Sequence, residues 1–95
     1  MTRIIWSQKA VADLVALIDL LTEYRQPREA VESIRAVRRQ LASLDQFPAV
    51  GSPVHAGTRK LPIKGQPFVL LYEVDDSRLL ILRLIHHRSD RQSLL

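Results

Sequence analysis

The chain has 95 residues, 46% of them apolar and 25% charged, with 14 lysines and arginines against 10 acidic residues. This composition is typical of one small globular domain over residues 1–95 and excludes a disordered chain. There is no cysteine, which excludes disulfides and cysteine-based zinc sites. No apolar run approaches the roughly 20 residues of a membrane span, and the N-terminus is too short and polar for a signal peptide, so we expect a cytoplasmic protein that does not engage membranes.

The excess of positive charge lies in the second half of the chain. Residues 51–95 carry 7 basic and 4 acidic side chains, whereas residues 1–50 carry 7 and 6. Eleven of the basic residues are arginine, whose planar guanidinium group binds phosphate or carboxylate through two hydrogen bonds. The net charge of +4 is modest for a nucleic-acid-binding protein but suits a locally acidic partner.

The first half of the chain predicts one strand followed by two helices. Residues 3–6 are β-branched or aromatic and predict a strand, after which Ser7 is a helix N-cap. Apolar residues at helical spacing predict a first helix over residues 8–24: Ala10, Val11, Leu14, Leu17, Ile18, Leu21 and Tyr24. Pro27 begins a second helix, which ends before Pro48. Its apolar stripe comprises Ala30, Ile34, Val37, Leu41 and Leu44.

The second half predicts three strands, at residues 59–63, 68–74 and 79–88, after a loop at residues 49–57. Short turns join these strands, which therefore form an antiparallel meander, and the first strand joins the same sheet. The short connection between the helices predicts an antiparallel hairpin, which must cover one sheet face. The expected fold is a two-layer α+β domain with an N-terminal strand, a helix hairpin and a three-stranded antiparallel meander.

Arg83 is a candidate site residue because it interrupts an apolar strand, which costs free energy unless the arginine pairs or faces water. Strand alternation separates the set Leu80, Leu82 and Leu84 from the set Ile81, Arg83, Ile85 and His87. If the leucines pack against the helices, Arg83 and His87 share the open face. The alternative is a structural ion pair, for example with Glu73 on the neighbouring strand.

Other cations and histidines could join Arg83. Arg59 and Lys60 are adjacent and point to opposite faces, so at most one reaches this surface, and we favour Arg59. His86 and His87 also alternate, and imidazole suits proton transfer near neutral pH, although a hydrogen-bonding role at the sheet rim is the alternative. His55 lies in the loop and could approach the same surface. The spacing of the histidines matches no zinc pattern, so we expect neither a metal nor a cofactor.

A second basic surface is predicted on the second helix. Its members lie within about 100° of one another on a helical wheel and are Arg28, Arg35, Arg38 and Arg39. They could bind nucleic acid or an acidic peptide, or they could form an ordinary solvated face. The chain has no glycine-rich phosphate loop, nucleophile elbow or informative pair of carboxylates.

The order of these features resembles the RelE/ParE superfamily of toxins from bacterial type II toxin–antitoxin modules over nearly the whole chain. The matching segments are Ile5-Trp6-Ser7, Ala10, Asp13-Leu14, Tyr24, Pro27, Ala30, Phe47-Pro48, Gly51, Thr58-Arg59-Lys60-Leu61, Phe68, Leu71-Tyr72 and Ile81 to Arg88. The helix hairpin and the His-His-Arg ending look more like the ParE branch.

The resemblance implies a plasmid-stabilisation toxin that forms a hetero-oligomer with a cognate antitoxin, whose acidic amphipathic C-terminal segment wraps around it. The residues predicted to bind the antitoxin or the target are Arg59, Lys60, Arg83, His86, His87 and Arg88. ParE-like members inhibit DNA gyrase, and this is the favoured function.

The alternative is a RelE-like endoribonuclease that cuts messenger RNA on the ribosome. In that case Arg59 or Lys60 would bind phosphate, Arg83 would stabilise the transition state and His87 would be the general acid or base. The chain has only three lysines and no tyrosine after the last strand, which departs from the RelE pattern. A general nucleic-acid-binding module is a weaker third possibility, because the five aromatic residues look structural.

Overall fold

The computed structural model describes residues 3–23 and 27–87. Within these ranges it contains β1 (Arg3–Trp6), α1 (Gln8–Glu23), α2 (Pro27–Gln46), β2 (Ser52–His55), β3 (Thr58–Pro62), β4 (Phe68–Asp75) and β5 (Arg78–His86). The strands form one sheet in the order β1-β5-β4-β3-β2. The predicted α+β class is confirmed, with one strand more than expected.

The helices begin where the sequence predicts. The backbone N–H of Ala10 donates to Ser7 Oγ at 3.0 Å, so Ser7 is the N-cap of α1, and Pro27 is the first residue of α2. The Ser7 hydroxyl also donates to the carbonyl of Leu82 at 2.8 Å, which attaches the start of α1 to β5. Val11, one of the apolar residues at helical spacing, is 47% exposed. The predicted end of the first helix, at Tyr24, lies outside the described residues.

The sheet is mixed because the two strands beside β5 run in opposite directions. β1 pairs with β5 in parallel, from Arg3 opposite Arg78 to Trp6 opposite Ile81. β3, β4 and β5 form the predicted antiparallel meander. No helix in the described ranges is long and apolar enough to cross a membrane.

The prediction that residues 49–57 form only a loop is wrong, because Ser52–His55 is an edge strand paired with β3. Ala56 and Gly57 both have positive φ, at 39° and 83°, and make the tight turn between these strands. Pro53 is compatible with this strand because an edge strand leaves one side unpaired, where a missing N–H is tolerated.

A bulge in β5 decides which of its residues enter the core. Leu71 is opposite Arg83 while Tyr72 is opposite Ile81, so Leu82 is an extra residue on β5. The main core, between the sheet and both helices, contains from this strand Leu79, Ile81 and Leu84. The condition that Leu80, Leu82 and Leu84 all pack against the helices is therefore met by Leu84 alone of these three. Leu82 packs instead on a smaller cluster formed by Val69, Leu71 and Ile85.

Candidate functional site

Arg83 is held by a carboxylate of α1. Its Nε donates to Asp13 Oδ2 at 2.7 Å and its Nη2 to Asp13 Oδ1 at 3.1 Å, which is a bidentate ion pair. The backbone N–H of Leu84 donates to the same Oδ2 at 3.0 Å. By register Arg83 lies opposite Leu71, on the sheet face of Val69 and Ile85 and away from the main core, as expected, but Asp13 occupies it there. The alternative of an ion pair is correct in kind, but the partner is Asp13 and not Glu73, which accepts a hydrogen bond from Thr58.

The Asp13–Arg83 pair lies where β5 extends beyond β1 at the edge of the sheet. The last residue of β1 in the ladder is Trp6, opposite Ile81, so β5 continues past its neighbour and leaves backbone groups at the sheet edge. α1 runs along this edge, and Asp13 satisfies the N–H of Leu84 there. The hydrogen bond and the charge of Asp13 raise the pKa of Arg83 above its ordinary value, against a smaller opposing effect of burial. Arg83 therefore stays charged.

An open groove of about 370 Å³ lies beside the pair, between α1 and the end of β5. Its apolar lining consists of Ala16, Leu17, Leu20, Phe68, Leu84 and Ile85. Its polar lining consists of Asp13, Arg83 and His86. The Arg83 side chain is 40% exposed, so the groove presents an apolar floor with a partly accessible cation at its margin.

Arg59 lies elsewhere and has a different kind of partner. Its Nη1 donates to the carbonyls of Gly51 at 2.7 Å and Ala49 at 3.2 Å, in the segment between α2 and β2. The hydroxyl of Tyr72 holds the same segment, because it accepts from the Gly51 N–H and donates to the carbonyl of Pro48, both at 2.8 Å. Arg59 and Tyr72 thus form a clamp on residues 48–51.

The strand register places the adjacent residues Arg59 and Lys60 on opposite faces of the sheet. Arg59 is opposite Tyr72, which is opposite Ile81, whereas Lys60 is opposite Leu71, which is opposite Arg83. Residues directly opposite one another share a sheet face, so the preference for Arg59 over Lys60 as the neighbour of Arg83 is wrong.

Two of the three histidines lie together, and His55 lies apart from them. His86 is half-buried with its ring edge-on to Phe68 at 5.8 Å, and it stacks on the exposed His87 at 4.7 Å. The backbone N–H of His87 donates to the carbonyl of Pro67 at 2.9 Å. His55 is on the opposite edge strand, level with the far end of β4, about 16 Å along the strand direction from the His86 row. The prediction that His55 approaches this surface is wrong.

Other predicted positions have mixed outcomes. The four α2 arginines are exposed, and Arg35 pairs with Glu32 at 3.4 Å. Arg88 lies outside the described residues. Sequence reasoning gave no role to Asp13 beyond its place in the family pattern or to the Tyr72 hydroxyl. The signal that could have found Asp13 is its position one turn after Ala10 and one turn before Leu17, both of which are core residues.

A solved structure shares this architecture. The structure described as the chromosomal ParDE TA system from P. aeruginosa matches with a TM-score of 0.77 and 28% identity, covering 90% of this chain and 96% of that chain. The chain is thus similar, over most of its length, to a protein solved as part of a toxin–antitoxin system.

The family comparison is more specific. The model of the ParE toxin of the type II toxin–antitoxin system parDE matches residues 4–91. Toxin RelE2 of Caulobacter vibrioides is 29% identical over 86 residues, which is 90% of this chain and 96% of that protein. The chain therefore belongs to the ParE toxin family of type II toxin–antitoxin systems, and the predicted resemblance is confirmed.

Proposed function

We propose that this toxin inhibits DNA gyrase without cleaving RNA and that a cognate antitoxin neutralises it. Gyrase is the target that likeness to the ParE branch implies. The observation that supports this choice is the position of the residues that a nuclease would need: Asp13 occupies Arg83, and both Arg59 and Lys60 lie three or more residues along β4 from the row of His86, next to His87.

Arg83 is poorly suited to stabilise a phosphorane-like transition state. Such stabilisation requires hydrogen-bond donors directed at the place where negative charge develops. Two donor nitrogens of Arg83 already bind Asp13, and the carboxylate offsets the arginine's charge. A phosphate brought to Arg83 would also approach the carboxylate of Asp13, which repels it.

Arg59 and His87 are too far apart to act on one phosphate. Arg59 is level with Tyr72 on β4, whereas His86 is level with Phe68, four residues or about 13 Å further along the strand. A general acid or base has to lie within hydrogen-bond distance of the atom it serves, or one water away. The arrangement therefore favours a toxin that acts by binding.

The groove between α1 and β5 is the proposed binding site for the antitoxin's acidic amphipathic C-terminal segment. Apolar side chains of that segment would contact Leu17, Leu20 and Leu84, and its carboxylates would lie near Arg83 and His86. Leu20 is 50% exposed, so covering it removes apolar surface from water. The product is the hetero-oligomer in which the toxin is inactive.

The gyrase proposal is tested with purified components. The toxin is added to gyrase, relaxed plasmid and ATP, and separately to ribosomes translating a defined message. We expect loss of supercoiling and no cuts at the ribosomal A site. The result against this proposal is cleavage of the message that is lost in both Arg83→Ala and His87→Ala but persists in the exposed-site control Arg78→Ala. Such cleavage would establish a ribonuclease activity and contradict the gyrase proposal.

The antitoxin proposal has its own test. Leu20→Asp places a charge in the groove, and Val74→Asp places one at a comparably exposed apolar residue on β4, outside the groove lining. We expect Leu20→Asp to weaken binding of the antitoxin at least tenfold and Val74→Asp to leave it unchanged. Equal effects would place the antitoxin elsewhere.

The proposed role in plasmid stabilisation is tested by comparing the retention of a plasmid that encodes both toxin and antitoxin with that of a plasmid from which the toxin gene is deleted.

A further inference from the structure

The outer face of α2 carries four arginines that the proposed function does not use. Arg28, Arg35, Arg38 and Arg39 are all exposed and lie within about 100° of one another around the helix. The other residues within that arc are Val31, Ala42 and Gln46, so the arc itself contains no carboxylate. We call this surface the α2 arginine face.

The arginines of this face are available to a ligand. Arg35 pairs with Glu32 at the margin of the arc, but both side chains are more than half exposed, at 65% and 56%. Such a pair contributes little and exchanges readily for another anion. Among the residues that the structure describes, no carboxylate pairs with Arg28, Arg38 or Arg39.

We infer that the α2 arginine face binds the phosphate backbone of duplex DNA. Arg28 and Arg39 are eleven residues apart, which is about 16 Å along the helix. The same length of duplex carries about five phosphates on each strand. Guanidinium groups bind phosphate oxygens through paired hydrogen bonds, so the number and the chemistry of the charges match a backbone contact.

Other polyanions fit this face less well. An acidic amphipathic helix needs a long apolar groove, whereas the concavity on this face is open and short, with Val31 as the one large apolar residue of the arc that lines it. Single-stranded nucleic acid needs aromatic side chains on which bases stack, and the arc has none. Since only phosphates are contacted, we expect binding without sequence preference, with a dissociation constant on the order of 10⁻⁴ to 10⁻⁶ M at physiological salt.

The experiment measures how binding depends on salt. Fluorescence anisotropy of a labelled 20-base-pair duplex is recorded with the purified chain between 25 and 200 mM NaCl. Four phosphate contacts predict that log K falls with log salt with a slope of about −3 to −4. The double variant Arg38→Gln/Arg39→Gln should lose about 2 units of that slope, because about 0.9 is lost per contact.

A control with the same change in net charge separates this face from general electrostatic attraction. Arg3 and Arg78 are exposed and lie opposite each other on β1 and β5. The variant Arg3→Gln/Arg78→Gln should keep the wild-type slope. Equal losses in the two double variants, or no binding of duplex at 25 mM NaCl, would overturn the inference.

Two further measurements complete the test. Circular dichroism must show the same helix content in both double variants and the wild type. Binding of polyglutamate that depends on Arg38 and Arg39, without binding of duplex, would assign the face to an acidic peptide and overturn the inference. Because the assay contains no gyrase, its failure leaves the proposed function untouched, and failure of the gyrase assay leaves this inference untouched.

Discussion

Arg59 and Arg83 both lie on strands and were both candidate site residues, yet they have different kinds of hydrogen-bond partner. Arg83 meets the carboxylate of Asp13, whereas Arg59 meets two backbone carbonyls. A carboxylate neutralises the charge of its partner, but a carbonyl, which has no net charge, does not. The comparison teaches that the partner, and not the residue type, determines whether an arginine remains available as a cation.

The two regions also differ in what they stabilise. The Asp13–Arg83 pair joins α1 to the exposed end of β5, and it closes a contact between residues 70 positions apart. The Arg59–Tyr72 clamp fixes the segment that leads from α2 into the sheet. We expect the stability that the Asp13–Arg83 pair contributes to depend on charge, and the stability that the clamp contributes to depend on close packing.

Gly51→Ala should have the largest effect, because a Cβ atom there would lie 2.6 Å from the Tyr72 hydroxyl and 3.0 Å from the carbonyl of Lys60. We expect a loss of about 3 kcal/mol in the free energy of unfolding, measured in urea. The control is Gly57→Ala, where the added Cβ meets nothing within 4 Å but φ is 83°. It should cost only about 1 kcal/mol. Equal losses would show that the clamp is not tightly packed.

Asp13→Ala should rank second. It removes the acceptor for both the Leu84 N–H and the Arg83 guanidinium, and we expect a loss of about 2 kcal/mol in urea unfolding. Asp13→Asn keeps one acceptor oxygen and should lose about half as much. Asp19→Ala, an exposed change on the same helix, should stay within about 0.5 kcal/mol of wild type. A larger loss for Asp19→Ala would contradict the special role of Asp13.

The smallest effect concerns the two arginines themselves. Arg59→Met and Arg83→Met retain the aliphatic stem and remove the donors, and each should cost about 1 kcal/mol at 0.1 M NaCl. At 1 M NaCl the Debye length falls to about 3 Å, so the cost of Arg83→Met should shrink while that of Arg59→Met stays constant. Equal salt dependence of the two unfolding free energies would show that the proposed difference in chemistry is wrong.

Much of the fold could be predicted because it follows from local rules. Ser7 as an N-cap, Pro27 as a helix start and the apolar spacing of α1 and α2 are readable from short segments. The β2 strand was missed because Pro53 argues against a strand unless its place at the sheet edge is known. Ile81 was wrongly grouped with Arg83 and Ile85, because the bulge at Leu82 interrupts strict alternation within β5.

The sequence alone determined the α+β class, the starts of both helices and the family likeness, since each rests on patterns between near neighbours or on their order along the chain. Tertiary structure alone decided the partners of the site residues. Ile81 and Leu84 are three positions apart and would face opposite sides of a regular strand, but the bulge brings both into the core. Arg83 is left within reach of Asp13. That contact depends on how α1 lies along the edge of β5, which no local pattern specifies.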